Sequence, residues 1–211
     1  MRKRKIPQVV VERMAVYLRI LNEMDTDEPD RYISSQDLGD LAGVGAAQVR
    51  KDLALFGEFG KQGVGYQVRL LQDELKRIMN VDRPINVGII GVGELGTALA
   101  RYNLRRSADD KAYPFRMAAL FDNNPAKTGR RVESLEIFSA EEVVDKVKEY
   151  RIKLMMITVP ASAAQTATDL SIKAGIKAIL NFAPVKLIVP PQVKLLQSDV
   201  SLQLHHLAFY L

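Results

Sequence analysis

Apolar residues at Val10, Met14, Tyr17, Leu18 and Leu21 recur every three to four positions, which predicts an amphipathic helix over residues 7–24. Pro7 suits its first turn. The acidic stretch Asp25 to Asp30, with Pro29, ends it in a loop. Ser34-Ser35-Gln36-Asp37 then reads as a helix start, with Ser34 as cap and Asp37 at the positive helix end. Gly43-Val44-Gly45 interrupts this second helix, and a third runs from Ala46 to Phe56. One of its faces is apolar (Ala46, Val49, Leu53, Phe56); another carries Ala47, Arg50, Lys51 and Ala54. Phe59, Val64, Tyr66 and Val68 then alternate around Gly57, Gly60, Gly63 and Gly65, four of the chain's 13 glycines, which predicts a hairpin with a tight tip. Leu70, Leu71, Leu75, Ile78 and Met79 give a closing helix, and Asn80 to Pro84 a linker.

Beyond the linker the period alternates between strand and helix. Ile85 to Ile90 is a buried-strand run, Gly91-Val92-Gly93-Glu94-Leu95-Gly96 follows, and a helix extends to about Arg105, with a polar loop predicted over Arg105 to Tyr113. A strand from Arg116 to Phe121 ends at Asp122. Ser139 and Glu142 form a capping box for a helix to about Tyr150. Leu154 to Thr158 is a strand, Ser162 to Ala174 a helix stopped by Gly175, and Lys177 to Asn181 a strand. This alternation implies a parallel sheet with right-handed crossovers. In the last segment, Val200 to Leu211, eight of twelve residues are apolar and spread around the helix. Such a helix must be covered on several faces. A partner subunit with swapped helices meets that need, and so does a wedge between the chain's own domains.

At 47% apolar and 26% charged, the 211 residues are not a wholly disordered chain. There is no cysteine, hence no disulfide framework or thiolate site. The only histidines, His205 and His206, are adjacent and point apart on a helix, so no metal is expected. No apolar run approaches the ~18 residues of a membrane span. No secretory core follows the basic arm Arg2-Lys3-Arg4-Lys5, so a cytoplasmic protein without a membrane partner is expected. The net charge of +5 suits a polyanionic partner, but residues 1–84 hold 14 Lys/Arg against 13 Asp/Glu and the rest 16 against 12. Net charge therefore does not mark residues 1–84 for nucleic acid.

The placement of the residues is more telling: a short helix, a glycine turn and a helix with small and basic residues on one face make the helix-turn-helix pattern. Small residues admit the helix to the major groove, while Arg50 and Lys51 reach phosphates or guanine edges. The plainer alternative is a surface helix with two solvated cations. The glycine-rich hairpin favours the first reading, since it has the form of a wing, with Lys61 at its tip and Gly63 allowing close approach.

The Gly91-x-Gly93-x-x-Gly96 string lies between strand and helix, the context that gives it meaning. Its glycines would make the turn, admit a pyrophosphate, and pack helix on strand. Asp122 would bond adenosine ribose hydroxyls and disfavour a 2′-phosphate, with Lys127 and Arg130 as nearby cations; otherwise it caps a loop. Thr158-Val159-Pro160 and Asn181-Phe182-Ala183-Pro184, at strand ends, are candidate pocket walls. There is no Tyr-x-x-x-Lys pair, no Cys, and no His near a strand end to handle a substrate proton. A binding module is therefore expected rather than an enzyme; the alternatives are a small dehydrogenase, a CoA-ligase-like subunit, or a DNA-architectural protein with a vestigial nucleotide fold.

The chain closely resembles the Rex family of bacterial redox-sensing transcriptional repressors. The segments that carry the likeness are Ser34 to Leu38, Gln48 to Leu53, Phe56 to Gly60, Gly63 to Tyr66, the three glycines, Phe121-Asp122, Thr158 to Pro160 and Asn181 to Pro184. The resemblance implies an α/β chain with a winged helix-turn-helix domain over residues 1–80, a Rossmann NAD(H)-binding domain over 85–197 and a swapped dimerisation helix over 198–211. It implies a homodimer on palindromic operator DNA that is released by NADH, with NAD⁺ competing without the same effect. Ala47, Gln48, Arg50, Lys51, Lys61, Gly63 and Tyr66 would meet DNA. Arg19, Tyr102 and Asp199, the last from the partner, would form a polar network between domains.

Overall fold

A computed structural model describes residues 6–24, 31–61 and 63–211. The basic arm at Arg2 to Lys5 and the acidic loop at Asp25 to Asp30 lie outside the described residues. The chain divides into two compact units, residues 1–83 and 84–211.

The first unit contains α1 (Gln8–Glu23), β1 (Tyr32–Ile33), α2 (Ser35–Ala42), α3 (Ala46–Ala54), β2 (Gly60–Lys61), β3 (Gly65–Gln67) and α4 (Val68–Ile78). Ser34 caps α2 by accepting the Asp37 N–H at 3.0 Å. Gly43, at φ 70°, ends it in the left-handed conformation that a side chain disfavours. The three strands form an antiparallel sheet in the order β1-β3-β2, so α2, α3 and the β2–β3 hairpin make a winged helix-turn-helix. Its core joins Met14, Tyr17 and Leu21 of α1 to Leu38, Val49, Leu53, Leu71 and Leu75. Two details depart from the sequence pattern. Leu70, expected on the apolar face of the closing helix, is exposed; Val68, expected in the hairpin, is the first residue of α4.

The second unit runs β4 (Ile85–Ile90), α5 (Glu94–Asp109), β5 (Phe115–Asp122), β6 (Arg131–Val132), β7 (Leu135–Ser139), α6 (Val143–Glu149), β8 (Ile152–Ile157), α7 (Ala161–Lys173), β9 (Ala178–Asn181), β10 (Lys194–Gln197) and α8 (Val200–Ala208). The sheet order is β10-β9-β8-β4-β5-β7-β6. Apart from β6, which is antiparallel, all pairings are parallel. Numbering the six parallel strands by sequence gives 3-2-1-4-5-6, the doubly wound dinucleotide-binding order. Side chains alternate across the sheet. Ala119, Phe121, Met155 and Ile157 pack with residues of α6 and α7, while Val87, Ile89 and Leu120 pack with Ala100 of α5.

Helix α5 outlasts the predicted stop at Arg105 and absorbs most of the expected polar loop, leaving residues 110–114 to turn the chain. No Gly or Pro falls between Arg105 and Asp109 to break it. Its final turns are pinned, with Tyr113 Oη donating to Asn103 Oδ1 at 2.5 Å and Arg116 Nη1 to Ser107 Oγ at 2.6 Å. Asp122 lies 26 residues after Gly96 rather than the usual ~20, and the excess is taken up by helix. The Ser139–Glu142 box forms as expected, but it caps a 3₁₀ turn (Ala140–Glu142) that leads into α6.

Candidate functional site

The outer face of α3 matches its sequence pattern. Ala47, Arg50, Lys51 and Ala54 are exposed, while Val49, Asp52 and Leu53 are buried. A groove of about 720 Å³ separates α3 from the hairpin, with Ser35, Arg50, Ala54, Gly57, Lys61, Gly63 and Tyr66 among its walls. Arg50 reaches back to α2, where its Nη1 donates to Ser35 Oγ at 2.8 Å. Two expected contact residues are turned away from the exposed face. Tyr66 is 8% exposed, its ring packed so closely that a Cβ on Gly60 would stand 2.8 Å from it. Burial raises its hydroxyl above the ordinary tyrosine pKa. Gln48 Nε2 donates inward to Asp52 Oδ1 at 2.7 Å.

Asp52 itself escaped the sequence reading. Its carboxylate, 1% exposed, accepts Arg13 Nε at 2.5 Å, Arg13 Nη2 at 2.7 Å and Tyr17 Oη at 3.0 Å besides Gln48. Burial pushes the carboxyl up, but the four donors outweigh it and hold it below the usual carboxylate range. Burial and the same bond push the Tyr17 hydroxyl up to about 12, so it stays a donor. One signal was available: Asp52 lies three residues after Val49, on the inner face, and a buried carboxylate requires donors.

In the second unit a cavity of about 570 Å³ opens at the carboxyl ends of β4, β5 and β8, lined by Gly91, Gly93, Asp122, Lys127, Thr158, Val159, Pro160 and Thr166 among others. This is the point where the strand order reverses, the usual crevice for ligands in open α/β sheets. The glycines divide the work. Gly91, at φ 101°, turns the chain, and a Cβ there would lie 2.7 Å from the Thr158 carbonyl oxygen. A Cβ on Gly96 would lie 2.0 Å from the Gly91 oxygen, so its bareness brings α5 onto the loop. A Cβ on Gly93 would meet nothing within 4 Å. That open side faces the cavity, beside the first-turn N–H groups and the positive end of a 16-residue helix. A dinucleotide pyrophosphate fits this cradle. Val92 turns its side chain into the core, and Glu94 and Leu95 are exposed; none of the three lines the cavity.

Asp122 is 6% exposed and its carboxylate is already engaged. Oδ2 accepts Val92 N at 2.8 Å and Lys127 Nζ at 2.9 Å, and Oδ1 accepts Asn124 N at 2.9 Å. Burial pushes this carboxyl up, and these three donors bring it below the usual range. The residue therefore ties the glycine loop to the end of β5 as it faces the cavity. Arg130, the other cation noted beside it, does not line the cavity.

Thr158, Val159 and Pro160 form cavity wall, with Thr158 Oγ1 donating to the Gly91 carbonyl at 2.6 Å. Asn181 to Pro184 do not line the cavity. Asn181 is fully buried, its Nδ2 donating to Gln197 Oε1 at 2.7 Å and its Oδ1 accepting Ala183 N at 3.0 Å, so this segment is held to β10. Each network residue has a local partner or an exposed position. Arg19 is on the exposed side of α1, Tyr102 Oη accepts Arg106 Nη1 at 2.9 Å, and Asp199 caps α8 by accepting Ser201 N at 2.9 Å. No residue from Val200 to Leu211 is buried, including Leu204, Leu207 and Phe209. Among the described residues, no helix is long and apolar enough to cross a membrane, and no acid–histidine cluster is arranged to hold a metal.

Comparison with known proteins extends the picture. The family described as a putative DNA-binding protein N-terminus matches residues 5–54, and that described as a CoA binding domain matches residues 82–185. The redox-sensing transcriptional repressor Rex of Brevibacillus brevis is 41% identical over 98% of this chain and 97% of its own. That of Roseiflexus sp. is 42% identical over 97% and 90%. Among solved structures, RSP in complex with beta-NAD+ and operator DNA is 36% identical, with a TM-score of 0.87 over 97% of this chain and 92% of that one. RSP in complex with beta-NADH is 34% identical, with a TM-score of 0.81 over 98% and 94%. With a winged helix, a doubly wound sheet and near-complete coverage by these relatives, the chain belongs to the Rex family of redox-sensing transcriptional repressors.

Proposed function

We propose that this chain binds palindromic operator DNA as a homodimer and leaves it when NADH fills the cavity at the ends of β4, β5 and β8, so that transcription follows the NADH/NAD⁺ ratio. The observation that carries this reading is the near full-length likeness to RSP, whose described complexes hold NAD⁺ with operator DNA in one case and NADH in the other. Ala47, Arg50 and Lys51 of α3 enter the major groove; Lys61 and Gly63 of the wing approach the backbone; Gln48 and Tyr66 support them from behind. Gly91, Gly93 and Gly96 with the start of α5 hold the pyrophosphate, and Asp122 faces the adenosine ribose.

A ligand shifts an equilibrium only through its differential affinity for two states. NADH and NAD⁺ differ at the nicotinamide ring, which is neutral and puckered in one and cationic and flat in the other. The discriminating contacts therefore belong near Thr158 to Pro160, which wall the cavity, rather than at Asp122. Exposed α8 packs on a second copy, and Asp199 of that copy meets Arg19 and Tyr102 across the interface. The domains of this reading are residues 1–80, 85–197 and 198–211.

Gly93→Val tests the assignment. Gly93 has φ −82° and open space at its Cβ position, so valine is tolerated by the fold and intrudes only on the cradle. The variant is expected to bind an operator duplex like the wild type and to stay bound in NADH, measured by fluorescence anisotropy. Release at wild-type NADH concentrations would show that the cradle lies elsewhere.

A further inference from the structure

We propose that Asp52 is the positioning residue of the recognition helix: its carboxylate fixes the rotation of α3 against α1 and holds Gln48 inward as part of the clamp. The inference rests on the operator-binding reading above and adds the device that aims the reading face.

Four donors converge on one side chain. Arg13 gives two, at 2.5 and 2.7 Å, Tyr17 gives one at 3.0 Å, and Gln48 one at 2.7 Å. Arg13 and Tyr17 are one turn apart on α1; Gln48 and Asp52 are one turn apart on α3. The paired Arg13 bonds restrain both the distance between the helices and the rotation of α3, because a guanidinium and a carboxylate meet in a plane. Apolar contacts such as Val49 against the core are non-directional, so the paired bonds add the directional restraint on α3. Rotation matters on this helix. The outer face is two residues wide at Arg50 and Lys51, and a turn of one residue, about 100°, would replace them. Asp52 is thus as distant from DNA as its burial requires, and acts through Arg50 and Lys51. Gln48, whose amide would suit an adenine edge, is committed to the carboxylate instead.

The test is a double-mutant cycle in the full-length protein with Asp52→Asn and Gln48→Ala. Each form is titrated with a palindromic duplex enriched from a random pool by the wild type, with a scrambled duplex at the same salt, and with NADH. Asp52→Asn is expected to lose about tenfold in operator affinity, with scrambled-duplex affinity, which is set by phosphate contacts, and NADH affinity within about twofold. Gln48→Ala is expected to lose about threefold alone and nothing further in the Asp52→Asn background. Full additivity would show that Gln48 reads bases directly, and an unchanged operator-to-scrambled ratio in Asp52→Asn would remove the positioning role; either overturns the inference. Should Asp52→Asn fail to fold, Tyr17→Phe takes its place in the same cycle under the same criteria. A wild type that enriches no sequence overturns the operator reading and this inference with it; one that does, beside an unchanged Asp52→Asn, overturns this inference alone.

Discussion

A Cβ on Gly96 would stand 2.0 Å from the Gly91 carbonyl oxygen, whereas one on Gly93 would meet nothing within 4 Å. The two glycines of one motif therefore answer to different demands, packing in the first case and ligand access in the second. Gly96→Ala should force α5 off the loop; overpacking of this kind costs on the order of 1–3 kcal/mol. A fall of roughly 2–12 °C in the thermal midpoint is expected, against little change for Gly93→Val. Equal midpoints for the two variants would contradict the division. At this scale the sequence was legible where chemistry is local. The Ser34 cap and the Ser139–Glu142 box formed between the residues the spacing named. It was illegible where partners are remote. Asp52 finds Arg13 and Tyr17 39 and 35 residues away, and the Val92 amide, 30 residues from Asp122, turns an expected ribose ligand into a loop anchor as well.

Elements with long, regular periods were readable from their side chains alone, α1, α3 and β4 among them. The exceptions are short strands whose stability comes from neighbours. β6 and β7 are two and five residues long and pair with each other, with β7 also pairing with β5; β10 is four residues long and pairs with β9. Such segments acquire strand geometry from the edge they join. The terminal helix presents the reverse case, a strong apolar pattern left exposed among the described residues. Val200, Leu202, Leu204 and Leu207 are each about three-fifths exposed. An apolar surface of this kind is expected to be an interface. Replacing Leu204 and Leu207 by Arg should convert a dimer to a monomer in sedimentation velocity. It should also weaken palindromic operator binding at least tenfold, because two half-sites would no longer be read together. A wild-type protein that sediments as a monomer at micromolar concentration would remove the assigned role of α8.

The whole molecule joins two units with separate cores, a winged helix over residues 1–83 and a doubly wound sheet over 84–211. The proposed function gives each unit one ligand and makes a single thermodynamic demand on the pair. If NADH weakens operator binding by some factor, operator must weaken NADH binding by the same factor. The direct measurement is a linkage titration: operator affinity at rising NADH and at rising NAD⁺, with NADH affinity measured in the presence and absence of saturating operator. The account predicts that NADH lowers operator affinity by roughly 5- to 150-fold, the range typical of such coupling. It also predicts the same factor in the reciprocal experiment, and a much smaller effect of NAD⁺. Operator and NADH bound together at their separate affinities would contradict it.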